Sequence, residues 1–309
     1  MTRRSLLAAL PLLLAACRPR SRQVTIGSKN FTEQLILGEL LAQYLERTAS
    51  LPVERRFYLA GTYICHQALL AGRIDLYVEY TGTALTAILK AEPHGDSQSV
   101  YQEVKSEYLR RWGLEVMPPL GFNNSFAIVM RGADARQMTV KSLSELAPYA
   151  PKLRMGIGYE FLERKDGYEG LVQTYGLRFA EAPRVMDLGL LYRALENRQV
   201  DLVAGSNTDG LIRALDLVVL EDDRHYFPPY DAVPIVRSEA VRNFPQIRSN
   251  LQKLAEGINA DDMRQLNYSV DGQKMDAATV VSAFLQKKMY FESATLGWGG
   301  RTLCESESA

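Results

Sequence analysis

The sequence predicts an α/β protein built as two lobes, with two extended segments crossing between them. Three observations predict it. Short apolar segments alternate with amphipathic helical stretches, the order that a mainly parallel sheet covered by helices requires. About 290 residues follow a short N-terminal apolar run, more than a single core of ordinary size. Two further apolar segments, FAIVM from Phe126 and AVPIVR at 232–237, divide the strand and helix runs into two similar sets. The expected division is 1–16 as a leader, 17–22 as a tether, 23–125 with 232–309 as the first lobe, and 126–231 as the second.

VTIG from Val24 reads as the first strand. In the following GSKNFTEQ segment, Asn30 and Glu33 have the spacing of a helix cap and its reciprocal partner. Leu35, Ile36, Leu37, Leu40, Leu41 and Tyr44 then repeat at helical period, so a helix is expected over 32–46. The free amides at its start attract an anion, with Lys29 beside them. PVERRFY is the second strand, CHQALLAGR the second helix, DLYVEY the third strand and Ser97 to Trp112 the next helix. The second lobe is read as a LRMGIG strand, a helix over 167–175, a LRFAEA strand, a helix from Leu188 to Asn197, a DLVAG strand and a helix from Asp209 to Ala214. Asp209 reads as a cap for that last helix. Helices from Ser238 to Leu254 and from Ala277 to Lys288 return to the first lobe.

Arg3 and Arg4 precede an apolar run from Leu6 to Ala16 that is too short to span a bilayer, which predicts an export signal. Leu14, Ala15, Ala16 and Cys17 form the small-residue box of a bacterial lipoprotein signal, with Cys17 as the lipidated first residue of the mature chain. No later apolar run reaches the ~20 residues of a membrane helix. The whole chain carries 36 basic and 36 acidic side chains, and loss of Arg3 and Arg4 with the leader leaves a charge of −2. Such a balance without a basic face argues against nucleic acid. Cys65 is expected as a small buried residue, and pairing with Cys304 stays open because sequence gives no distance. His66, His94 and His225 lack metal-ligand spacing, so neither a metal nor another cofactor is expected.

Five segments in order, GSKNFTEQ at 27–34, DLYVEYTGT from Asp75 to Thr83, EFLERKDGY from Glu160, HYFPPYDAVPIVR from His225 and LNYSVDG from Leu266, carry a family likeness over nearly all of the mature chain. The sequence resembles the substrate-binding proteins of ABC importers for glycine betaine, choline, carnitine and related quaternary ammonium compounds. The resemblance implies a type II periplasmic binding protein fold with two crossover hinge strands. It also implies an extracytoplasmic, lipid-anchored protein that delivers a small quaternary amine to ABC permease and ATPase subunits.

A trimethylammonium group carries full positive charge and no N–H donor, so aromatic faces suit it better than a hydrogen-bonding carboxylate. The resemblance places Tyr80 and Thr83 of EYTGT in the first-lobe wall, with Lys29 near. It sets Phe126 where the family has a tyrosine, uses Tyr230 of FPPYD to close the cage, and makes Arg164 the clamp for a ligand carboxylate. At the position before TDG where the family has a further cage tyrosine, this chain has Ser206. That substitution implies either a weaker grip or room for a larger betaine, such as a carnitine or a histidine-derived betaine.

No GxSxG, HExxH, phosphate-cradling glycine loop or Cys-His pairing stands in a recognisable context, so an enzyme is not expected. A lipoprotein that senses a ligand for a membrane receptor, or a binding protein for another zwitterion such as ergothioneine or an amino acid, are the alternatives.

Overall fold

The computed structural model describes residues 23–92 and 96–296. The leader, Cys17, the tether, His94 and Cys304 lie outside the described residues.

In chain order the first lobe runs β1 (Val24–Gly27), α1 (Thr32–Ala49), β2 (Val53–Arg56), α2 (Thr62–Leu70), β3 (Leu76–Tyr80), α3 (Thr81–Thr83), α4 (Ser97–Trp112) and β4 (Leu114–Val116). The second holds β5 (Phe126–Arg131), α5 (Gly132–Met138), α6 (Leu143–Leu146), β6 (Met155–Ile157), α7 (Tyr159–Glu163), α8 (Tyr168–Tyr175), β7 (Arg184–Val185), α9 (Leu191–Glu196), β8 (Leu202–Ser206), α10 (Leu211–Ala214) and β9 (Leu217–Leu220). The chain then closes through β10 (Ala232–Arg237), α11 (Ser238–Asn243), α12 (Gln246–Lys253), α13 (Ala260–Asp271) and α14 (Ala277–Leu296).

Two five-stranded sheets result, ordered β2-β1-β3-β10-β4 and β7-β6-β8-β5-β9. The first strand to enter each sheet from the other lobe runs against its neighbours: β10 is antiparallel to β3 and β4, and β5 to β8 and β9. The two crossing segments lie side by side. Asn123 bridges Asp231, the Asn124 amide donates to the Tyr230 carbonyl at 3.0 Å, and the Ala232 amide donates to that of Phe122 at 3.2 Å. Gly121 sits in this crossing with φ +112 and the backbone of Glu256 and Ile258 within 3 Å of where a Cβ would stand, so only glycine fits.

The apolar periodicity of α1 packs Ile36, Leu37, Leu40, Leu41 and Leu45 against Val24, Ile26 and Leu76, all buried. The anticipated cap does not form: Phe31 is the N-cap of α1, and no side chain caps it. Glu33 is instead drawn into the interior, where four donors reach it, as described below. The expected LRFAEA strand is also absent. The edge strand is the exposed pair Arg184–Val185 just beyond Pro183, while Leu177 and Phe179 pack on the second-lobe core outside any strand. The helix expected from Ser238 to Leu254 breaks into α11 and α12 at Phe244 and Pro245, where proline lacks the N–H that a continuous helix needs. α13, containing the LNYSVDG segment, had no helical expectation. Cys65 is buried with a free thiol, and burial pushes its pKa up to about 12. Among the described residues no His, Cys, Asp and Glu cluster suits a metal, and no helix is long and apolar enough to cross a membrane.

Candidate functional site

A cleft of about 300 Å³ separates the two sheets. Lys29, Tyr80, Thr83, Phe126, Arg164, Ser206 and Tyr230, the seven residues singled out from sequence, all line it. β1 ends at Gly27 and delivers Lys29; β3 ends at Tyr80; β5 begins at Phe126 and β8 ends at Ser206, which are paired across the second sheet. Side chains at strand ends therefore meet where the two sheets face each other, as in other open α/β sheets.

Tyr80 and Tyr230 are almost fully buried. The Tyr80 hydroxyl donates to Glu33 Oε1 at 2.6 Å, and that of Tyr230 donates to Asp166 Oδ2 at 2.5 Å. Burial, then the adjoining carboxylate, lifts both phenols well above their ordinary pKa, so both remain donors. Gly82 makes the approach of Tyr230 possible: a Cβ there would stand 2.7 Å from the Tyr230 ring and from the Pro229 carbonyl oxygen. The rings already face cations of the protein itself. Lys29 Nζ is 4.8 Å from the centre of the Tyr80 ring, and the Arg164 guanidinium carbon is 4.9 Å from that of Phe126 and 5.8 Å from that of Tyr230.

Both cations have buried carboxylate partners. Lys29 Nζ donates to Glu79 Oε1 at 2.5 Å and to Thr62 Oγ1 at 3.1 Å. Glu79, on central strand β3 with no exposure, is further held by the Tyr77 hydroxyl and the Tyr80 amide, the bonds a buried charge requires. Arg164 gives Nε and Nη2 to the two oxygens of Asp166, and it also reaches Thr83 through Nη1 at 3.0 Å and Thr86 through Nη2 at 3.2 Å. Burial works against the Arg164 charge, but Asp166 outweighs it and holds the guanidinium pKa above its ordinary value. The planar edge expected to grip a ligand carboxylate is thus taken by Asp166. One Nη1 hydrogen of Arg164 is not used by Asp166, Thr83 or Thr86, and the first-turn amides of α1 have no side-chain cap.

Glu33, read from sequence as the reciprocal partner of an Asn30 cap, is the hub of the opposite side. It accepts from Tyr80, from Asn124 Nδ2, from the Thr208 hydroxyl at 2.6 Å and from Asn267 Nδ2 at 2.9 Å. The Ser206 hydroxyl donates to Asn124 Oδ1 and lies 2.8 Å from the Thr208 hydroxyl, so it extends this network. Asn124, Thr208 and Asn267 sit in the FNNSF, NTDG and LNYSVDG segments. Their role escaped sequence reading because nothing in one segment indicates which distant carboxylate it meets.

Several of these bonds join the lobes. Beyond Arg164 to Thr83 and Thr86, and Thr208 to Glu33, the Glu160 carboxylate accepts from the Thr62 amide at 2.8 Å, at the start of α2. Gly61 allows it: a Cβ at that position would stand 2.1 Å from Glu160 Oε1. The lobes are closed on each other. Asp209 and Asp271 complete the lining. The N-cap of α10 is Gly210, not the expected Asp209, although the Leu211 amide donates to Asp209 at 3.0 Å; the Thr32 hydroxyl donates to Asp271 at 2.7 Å.

Residues 22–287 match the model of the substrate-binding domain of ABC-type glycine betaine transport systems. The chain belongs to that family. It is a substrate-binding component of an ABC transport system and not an enzyme. Among its relatives is the carnitine transport binding protein OpuCC of Listeria monocytogenes, 32% identical over 271 residues, which are 87% of this chain and 88% of that one. The ergothioneine transport permease/ergothioneine binding protein EgtU of Helicobacter pylori is 33% identical over 284 residues, 91% of this chain, and the chain spans 50% of that protein's length. A crystal structure of a glycine betaine/carnitine/choline ABC transporter component superposes with a TM-score of 0.73 at 32% identity, covering 87% of this chain and all of the other. The two-lobed binding-protein fold expected from sequence is the fold of this family.

Proposed function

We propose that the protein captures a small quaternary ammonium zwitterion, of the betaine or carnitine type, between its lobes and presents it to an ABC permease driven by ATPase subunits. The observation that carries this reading is the convergence of Tyr80, Phe126, Phe161 and Tyr230 on one cleft from both sides. The rings of Tyr80, Phe126 and Tyr230 already meet the protein's own ammonium and guanidinium groups at cation–π distance, so these ring faces are oriented for positive charge. A trimethylammonium group gains from such faces and from methyl contact, where a hydrogen-bonding pocket would give it nothing.

The carboxylate of the ligand goes to the first-turn amides of α1 and the remaining Nη1 hydrogen of Arg164. Arg164 and Lys29 act chiefly by holding the walls. Closure over the ligand is the signal that the permease reads, since contacts from both lobes favour the closed state. The relatives that transport carnitine and ergothioneine, and the glycine betaine theme of the family, support the ligand class. The basic and apolar leader over 1–16, followed by Cys17, supports an extracytoplasmic location with a lipid anchor.

Calorimetric titration with glycine betaine, choline and carnitine tests the reading. Binding of at least one is expected, with Tyr80→Ala and Tyr230→Ala weakening each. Heat from amino acids and none from quaternary amines would overturn it.

A further inference from the structure

Two glycines, one in each lobe, stand against the opposite lobe where a side chain would not fit. Gly210, at the start of α10, faces α13: a Cβ there would lie 2.3 Å from the Tyr268 amide nitrogen, 2.5 Å from its Cα and 2.9 Å from the Asn267 carbonyl carbon. Gly61, at the start of α2, faces α7: a Cβ there would lie 2.1 Å from Glu160 Oε1 and 2.9 Å from the Tyr159 hydroxyl. Carbon atoms pack best at about 3.5–4.0 Å, so both approaches exclude even a methyl group.

Backbone conformation does not call for glycine at either position. Gly210 has φ −67 and ψ −23, and Gly61 has φ −82 and ψ −171, angles that any residue adopts. The need for glycine comes from the close approach of the other lobe.

The two contacts lie on opposite faces of the first sheet. Cys65 and Leu69 of α2 pack with Tyr77, Val233 and Ile235, whereas Met263 and Leu266 of α13 pack with Val78 and Val236. The second lobe therefore meets the first at both flanks of the cleft. Each contact carries a hydrogen bond beside its glycine. Glu160 accepts from the Thr62 amide and so caps α2, whose own N-cap, Gly61, has no side chain to offer. Asn267 Nδ2 donates to the Thr208 carbonyl at 2.9 Å.

We infer that Gly61 and Gly210 are closure notches, required by neither lobe alone, which set how deeply the lobes close over a ligand. This rests on the closure proposed above. A side chain at either position holds the lobes apart. Apparent affinity falls with the fraction of protein able to close, so every ligand should weaken together.

An exposed ion pair, Lys165 of the second lobe with Glu92 of the first, reads closure without any ligand. A zero-length carbodiimide joins an amine to a carboxylate only where the two touch, so the yield of the Lys165–Glu92 link, measured by mass spectrometry, reports the closed fraction. The test compares the unaltered protein with Gly210→Ala and Gly61→Ala, each alone and with glycine betaine, choline or carnitine. Gly210→Ala is expected to cut the link at least tenfold, and to weaken by a similar factor whichever of the three binds, because the obstacle is backbone. Gly61→Ala is expected to cut both severalfold, because the Glu160 side chain can swing aside at the loss of its bond to α2. Without ligand, both variants should melt at the temperature of the unaltered protein. A link yield that either variant leaves unchanged, no link in the unaltered protein, or a lowered melting temperature for Gly210→Ala overturns the inference; the last would make the contact a permanent part of the fold. If none of the three amines binds the unaltered protein, the quaternary-amine reading fails, while the link yields still decide the notches.

Discussion

Thr208 of the second lobe donates its hydroxyl to Glu33 of the first at 2.6 Å, joining the lobes at the cleft through a buried carboxylate. The same carboxylate holds Tyr80 and Asn267, so one acid links an aromatic wall, the α13 helix and the opposite lobe.

Thr208→Val keeps the shape of the side chain and removes this donor. A hydrogen bond to a charged group contributes ~1.5–3 kcal/mol, so the affinity of every ligand that needs closure should fall by roughly ten- to a hundredfold. Titration with two unlike betaines checks it. A loss confined to one of them would assign Thr208 to ligand contact instead of closure.

The two parts of Tyr80 separate in a pair of variants. Tyr80→Phe retains the ring and loses the bond to Glu33, whereas Tyr80→Ala loses both. If the ring is a cage wall, the alanine variant should be weaker than the phenylalanine variant by about fivefold to thirtyfold, the ~1–2 kcal/mol of a cation–π contact. Equal affinities of the two variants would confine Tyr80 to positioning Glu33.

Arg164→Ala should weaken both betaine and choline, with a smaller further loss for betaine, whose carboxylate also loses the Nη1 hydrogen. The change leaves Asp166 buried without its cation, at a cost of ~3–5 kcal/mol, and releases Thr83 and Thr86. A melting temperature near that of the unaltered protein, with loss restricted to carboxylate-bearing ligands, would restore Arg164 as the carboxylate clamp.

Ser206→Tyr offers an aromatic ring at the position where the family resemblance expects one. The Ser206 hydroxyl, however, bonds Asn124 and contacts Thr208, both of which reach Glu33. The tyrosine is therefore expected to disrupt this relay and lower the affinity of all betaines. A rise for glycine betaine would show that the ring fills a cage wall without breaking the network.

Stability should depend on pH through Asp209, which ionises near 7 in the fold and at ~3.9 in an unfolded chain. Because the folded pKa is the higher, the native state holds a proton that the unfolded chain releases. The contribution is complete below pH ~4 and is lost as pH rises through about 7. Asp271 is shifted in the same direction, Glu33 and the Tyr192 hydroxyl face the same site, and Lys274 partly offsets Asp271. The melting temperature of the unliganded protein relative to Asp209→Asn should fall between pH 4 and about 7 and level off above it. Parallel melting profiles for the two proteins would contradict this.

Cys17→Ser removes the sulfur through which a lipoprotein is acylated, so metabolic labelling with fatty acid should be lost while betaine binding persists. Continued labelling would exclude Cys17 as the anchor.

Local patterns in the sequence determined the parts that depend on neighbours in the chain. The apolar stripe of α1, the helix over Ser97 to Trp112, the extended segments at Phe126 and Ala232, and the aromatic residues at strand ends were all legible, because burial period and turn chemistry are written within a few residues. The division into two element runs, together with the ordered motifs, was enough to place the family. Only the tertiary structure decided which charge meets which. Lys29 and Arg164 looked available for a ligand carboxylate, yet Glu79, fifty positions along the chain, and Asp166, two positions away, occupy them. Glu33 and Asn30 had the spacing of a cap, yet burial among Tyr80, Asn124, Thr208 and Asn267 gave Glu33 four donors from distant segments. The reason is desolvation: a carboxylate withdrawn from water must gather whatever donors the fold brings within reach, and those donors are set by how the sheets and helices pack.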